Sequence, residues 1–150
     1  LVLFFKKEPL ALILHHLWEP TTMTTIPIAL ATAGILGLMY VVLSLLVVRQ
    51  RISTKTMIGE GESPGLLLAI RAHGNFAEYV PIGLILLAGI EAAGAARWLV
   101  LALAGMLVLG RVLHPFGLYM KAPNAPRALG GMLTWVMIGA ASIEALIIAL

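Results

Sequence analysis

Arg71, Asn75 and Glu78 stand four and three residues apart inside an apolar segment that runs from Pro64 to about Gly89. On a helix each residue turns the chain by about 100°, so the three share one stripe about 60° wide. A later apolar segment carries Arg111 and His114, one helical turn apart, and Arg127 opens the last one. Placing a single Arg or Asp at the centre of a membrane helix costs roughly 2.5–3.5 kcal/mol. A chain that keeps these groups must recover that cost by pairing them within a bundle or by turning them toward a polar cavity. Three arginines against one glutamate leave positive charge in surplus, which suits an anionic guest such as a carboxylate or thiolate. Structural roles compete with this one. Arg71 and Glu78 are two turns apart, about 10 Å in rise, too far for a direct bond within one helix, so any ion pair needs a neighbouring element. Arg127, at a helix start, also suits a lipid phosphate. His73 lies off the stripe and reads as a packing or hydrogen-bonding residue, Glu144 as packed or snorkelling, and Tyr79 and Tyr119 as interface or core residues.

The composition says what carries this stripe. The 150 residues are 61% hydrophobic and 11% charged, with a mean hydropathy of +1.02. Soluble domains carry about 25% charged residues, and a membrane span needs about 20 apolar residues. The chain therefore reads as all-α, an integral membrane four-helix domain. The expected spans are 26–48, 64–89, 98–119 and 128–150. Thr24 or Thr25 would cap the first, with Pro27 in its first turn, and Ser63 the second, with Pro64 after it. Pro81 predicts a kink just past the polar stripe. Gly34 and Gly37 on the first span, and Gly130, Gly131 and Gly139 on the last, suit close helix approach. Glu91–Ala96 reads as a short connection, and Lys121–Arg127, with two prolines, as a loop.

Four spans put both ends on one side. Arg49, Arg51, Lys55, Lys121 and Arg127 lie in the first and third loops or beside them, against Lys6, Lys7 and Arg97 opposite, which favours those two loops in the cytoplasm. The polar groups of the second, third and fourth spans then meet at one depth, near that side. Residues 1–22 are apolar stretches broken by Lys6, Lys7, Glu8 and Pro9. They read as an extension lying at the membrane surface, with Met23 as a natural start and 23–150 as the domain.

Other chemistries fit poorly. The pI of 9.6 accompanies a net charge of only +3 and no basic patch with aromatics, so nucleic acid is not expected as a partner. Cysteine is absent, which excludes disulfides and a thiol nucleophile of the chain's own. No metal site is expected, because no span holds a Glu-x-x-His or His-x-x-x-His pattern. Phosphate-loop and nucleophile-elbow motifs are missing as well.

The run Arg71-Ala-His73-Gly-Asn75-Phe-Ala-Glu78-Tyr79-Val-Pro81 resembles the second-helix signature of the MAPEG family, membrane-associated proteins of eicosanoid and glutathione metabolism. Gly110-Arg111-Val-Leu-His114-Pro-Phe-Gly117 and Arg127 look like the matching positions of the third and fourth helices. The resemblance covers about residues 26–150, and the Ile-Gly-Glu-Gly before the signature looks like the small bacterial branch. It implies a four-helix bundle assembled as a homotrimer in a bacterial inner membrane, with glutathione between neighbouring subunits as cosubstrate. Arg71, Asn75 and Glu78 would hold the glutathione peptide and Arg111 its carboxylate, with Tyr79 and His114 in the same binding set. Arg127 would be the catalytic, thiol-side arginine, whose guanidinium favours thiolate over thiol. The chain departs from eicosanoid-type members at Leu118, where they carry a tyrosine, and from some members at Ala128, where they carry a serine. The implied function is a glutathione-dependent transferase or peroxidase acting on lipophilic electrophiles or hydroperoxides. The alternatives are a non-catalytic lipid-binding protein and an accessory subunit of a larger membrane complex.

Overall fold

A computed structural model describes residues 25–150, which form four helices: α1 (Pro27–Thr54), α2 (Pro64–Ala92), α3 (Arg97–Leu118) and α4 (Ala125–Ala149). The expected surface extension at 1–22, and Thr24 as a cap, lie outside the described residues. All four helices are long and apolar enough to cross a membrane, the shortest spanning about 33 Å at 1.5 Å per residue.

Local signals set most of the boundaries. Ser63 accepts the Leu66 N–H ahead of Pro64, as expected. The helix α1 starts differently. Ile26 is its N-cap and no side chain of its own caps it, while the Glu91 carboxylate reaches across from the end of α2. Its two oxygens accept the N–H groups of Ile28 (2.9 Å) and Ala29 (2.7 Å). A carboxylate at a helix N-terminus satisfies orphan donors and meets the positive end of the macrodipole. Glu91 is thus the last turn of α2 rather than part of the connection, which narrows to Ala93–Ala96 around Gly94 (φ +84°).

Two other ends move for identifiable reasons. The helix α1 runs six residues past Val48, because Arg49 and Arg51 suit a helical last stretch near the dipole's negative end. It stops at Lys55, in the left-handed region at φ 55°. The helix α4 starts at Ala125, three residues early, because Asn124 caps it by accepting the Arg127 N–H at 3.0 Å and Pro126 suits the first turn. The helix α2 continues through Pro81 to Ala92.

The closest packing joins α3 to α4, and α1 packs on α2 and α3 without meeting α4. Three glycines permit the first contact. A Cβ on Gly130 would stand 2.6 Å from the His114 nitrogen and 2.8 Å from the Gly110 oxygen, and one on Gly117 would stand 2.7 Å from Arg127 Cα. That seam fixes Arg127 beside the end of α3. By contrast Gly34, Gly37, Gly131 and Gly139 have no neighbour of this kind within 4 Å in their own chain. The small-residue faces expected there are not used within the protomer. The core is apolar, with Leu36, Leu66, Phe76, Leu87, Leu107 and Met137 buried.

Candidate functional site

The polar residues of three helices do meet at one level, in two tiers. The lower tier is buried. Arg111, only 2% exposed, points between α2 and α4. Its Nη1 donates to Asn75 Oδ1 at 2.9 Å and its Nη2 to Thr134 Oγ1 at 2.6 Å. Longer contacts reach the carbonyls of Asn75 and Gly130, both at 3.4 Å. The guanidinium also lies 5.5 Å from the centroid of the Tyr79 ring, a cation–π distance. No carboxylate faces it among its hydrogen-bond partners. The charge is carried by neutral acceptors and a ring, and Nε is left buried without a partner.

The upper tier is open. Two adjoining clefts flank the end of α3 near the α3–α4 loop. One, of about 740 Å³, is lined by Asn75, His114, Asn124, Arg127, Met132 and Trp135 among others. The second, of about 610 Å³, is lined by Arg71, Asn75, Glu78, His114, Leu118 and Arg127, with Leu67, Leu68, Ile70 and Gly74. Asn75, His114 and Arg127 belong to both. The His114 ring carries its Nδ1 buried without a hydrogen bond. Arg71 and Glu60 of the α1–α2 loop form an ion pair at 3.5 Å, with side chains 68% and 53% exposed. The Arg71 partner is therefore a loop residue. Arg51 braces that loop by donating to the carbonyls of Thr56, Met57 and Gly59 at 3.0–3.2 Å.

Of the residues singled out in the sequence, Arg71, Asn75, Glu78, His114 and Arg127 line the clefts, whereas Arg111 and Tyr79 lie outside that lining. His73 is the hydrogen-bonding residue expected, with Nε2 3.1 Å from Ser44 Oγ and its ring beside Tyr40. Thr134, Asn124, Met132 and Trp135 were not anticipated. Arg127, Gly131 and Trp135 recur every four residues, a spacing that puts Trp135 on the arginine's face of α4. Thr134 gave no such signal, because one threonine in an apolar helix commonly bonds its own backbone, as it also does here to the Gly130 carbonyl at 2.9 Å.

The family model for MAPEG matches residues 29–147, spanning all four helices and both tiers. The chain belongs to the MAPEG family. It is also similar to the "Inner membrane protein YecN" of Escherichia coli strain K12, with 36% identity over 89 residues that cover 59% of this chain and 67% of the relative. The protein of the same name from Escherichia coli O6:H1 matches equally. No solved structure matches. Family membership and four apolar helices make this MAPEG chain a membrane protein. Among the described residues no group of three His, Cys, Asp or Glu side chains is placed to hold a metal ion.

Proposed function

We propose that the chain is a glutathione-dependent membrane transferase or peroxidase that acts, as a homotrimer, on lipophilic electrophiles or hydroperoxides. The observation that carries this reading is the lining of the joined clefts. It offers two accessible arginines, one carboxylate, two carboxamides and an imidazole beside an apolar wall of Leu67, Leu118, Met132 and Trp135. Glutathione has two carboxylates, one ammonium, two peptide groups and a thiol. Arg71 and Arg127 match the anionic groups, Glu78 the ammonium, and Asn75 a peptide or carboxylate oxygen. The bound tripeptide would supply a thiol nucleophile or reductant, and the apolar wall would hold a substrate arriving from the bilayer. Arg127, the only cleft cation on α4, borders both clefts, including the one lined by Trp135 and Met132, and takes the thiol-side role. Arg111, beneath the clefts, serves the site through Asn75. The name of the Escherichia coli relative, an inner membrane protein, and the excess of basic residues at the first and third loops support an inner-membrane location with those loops cytoplasmic.

Calorimetry in detergent tests the reading. Wild type is expected to bind glutathione, and Arg71→Ala and Glu78→Ala to weaken it by about tenfold or more, the order expected when a charge-assisted bond is lost. Equal affinities in all three proteins would discard the site.

One observation favours a second reading, a non-catalytic lipid-binding protein. The residues lining the two clefts include no serine, threonine or tyrosine. A site without a hydroxyl lacks one usual means of stabilising a thiolate, and the apolar wall alone suits an acyl chain. Conjugation of a generic lipophilic electrophile by the purified protein separates the two, since a lipid carrier shows none.

A further inference from the structure

Asn75 is the one residue shared by both clefts that is also tied to the buried tier. Its orientation is open in principle, because the oxygen and nitrogen of a carboxamide have nearly the same shape. Here the chemistry of its neighbour decides it. A guanidinium has donors only, and Arg111 Nη1 stands 2.9 Å from the terminal oxygen of Asn75. The oxygen must face inward. The Arg111 orientation is itself held from the far side: Nη2 reaches Thr134 Oγ1 at 2.6 Å, and that hydroxyl spends its own proton on the Gly130 carbonyl at 2.9 Å. Donation therefore runs outward from Arg111 on both sides, to Asn75 Oδ1 on α2 and to Thr134 Oγ1 on α4, whose hydroxyl donates on to the α4 backbone. Both Arg111 and Thr134 are sealed from solvent, at 2% and 0% exposure. Asn75 Nδ2 makes no hydrogen bond among the described residues and is not one of the buried orphan atoms.

We infer that Thr134 is a positioning residue, which through Arg111 locks the Asn75 carboxamide so that its NH2 group, and never its oxygen, faces the clefts. The group recognised at this position is then an acceptor, a peptide carbonyl or carboxylate oxygen. This specificity rests on the glutathione reading above, while the locked orientation does not. Two fixed donors at Asn75, beside the acceptor Glu78 one turn on, give the α2 face a polarity that distinguishes the carbonyl side of a peptide from its amine side.

The chain has two asparagines, Asn75 and Asn124, so asparagine-selective 15N labelling in detergent yields two side-chain NH2 pairs, assigned with Asn124→Asp. In ligand-free protein, Thr134→Val is expected to move the Asn75 pair, and Thr134→Ser, which keeps the hydroxyl, to leave it in place. In glutathione titrations Thr134→Val should weaken binding by about fivefold to tenfold, the loss of one hydrogen bond's worth, and Thr134→Ser should match wild type. Asn75→Asp keeps an oxygen for Arg111 but turns a second oxygen to the clefts. It should bind glutathione at least tenfold more weakly while unfolding no earlier than wild type. An Asn75 pair unmoved by Thr134→Val, or moved equally by Thr134→Ser, would overturn the lock, and unchanged binding by Asn75→Asp would overturn the donor assignment. If wild type binds no glutathione yet Thr134→Val still moves the pair, the lock stands and the ligand reading alone falls.

Discussion

Arg71 and Arg127 are both exposed cleft arginines, yet they are held differently. Arg71 is already paired with Glu60. Exposed pairs of this kind contribute only about 0.2–1 kcal/mol, so a carboxylate of a bound ligand can take the place of Glu60. Glu60→Gln is therefore expected to raise glutathione affinity slightly, by about twofold, and titration calorimetry at low and high salt would read the change and its screening. A drop in affinity would show that Glu60 helps to hold the ligand instead. Arg127 has its backbone N–H capped by Asn124, but its guanidinium makes no hydrogen bond or ion pair among the described residues. If it stabilises developing thiolate, Arg127→Ala should slow conjugation by on the order of a hundredfold, the scale for removing one electrostatic donor, with glutathione affinity changed much less. Unaltered turnover would reassign the residue.

At the scale of the helices, the boundaries show what can be read from a sequence and what cannot. Ser63 with Pro64 marks the α2 start correctly, because cap and helix are neighbours in the chain. The depth at which Arg71, Asn75, Glu78, Arg111, His114 and Arg127 converge was also legible, since span lengths and up-down order fix it. The partner of the α1 N-terminus was not, because Glu91 lies more than sixty residues from Ile28 and only the packing of α1 on α2 brings them together. The same holds for Arg111. Its type and position announced a polar interior, but its pairing with Asn75 and Thr134 depends on the glycine seam between α3 and α4, which brings Thr134 within 2.6 Å. Gly34 and Gly37 illustrate the converse, since small residues announce closeness without naming the neighbour. Glu91→Gln keeps the side chain's shape, but loses its charge and leaves one oxygen for two donors. It should lower stability by about 1–2 kcal/mol, the range for a lost helix cap, measured as earlier thermal unfolding in detergent with glutathione affinity retained. An unchanged unfolding profile would mean that the contact contributes nothing.

For the molecule as a whole, the outward faces are apolar almost throughout. Leu30, Leu38, Val41, Leu45 and Ile52 of α1, and Met132, Trp135, Ile143 and Ile147 of α4, are all exposed. In a membrane such faces meet lipid or other copies of the chain. The charged face of α2 does not suit lipid: Arg71 and Glu78 are exposed on the single protomer, a cost that a neighbouring chain closing the clefts would relieve. The proposed homotrimer would supply such a wall. Light scattering or native mass spectrometry in mild detergent should give three times the 16.0 kDa chain mass, and Arg71→Ala should keep it. A strictly monomeric particle would remove the intersubunit site.

The Glu91 clasp carries a consequence for how the protein is made. The two amides that it holds belong to the first turn of α1, and the carboxylate belongs to the last turn of α2. The carboxylate can reach those amides only when the second helix has crossed back to the side where the first began. Closure of the clasp then blocks a slip of one helix along the other, since a shift of one turn, about 5.4 Å, breaks both bonds together. Once closed, the clasp holds α1 and α2 in a single register, so α3 and α4 pack against a pair of helices already fixed in relative height.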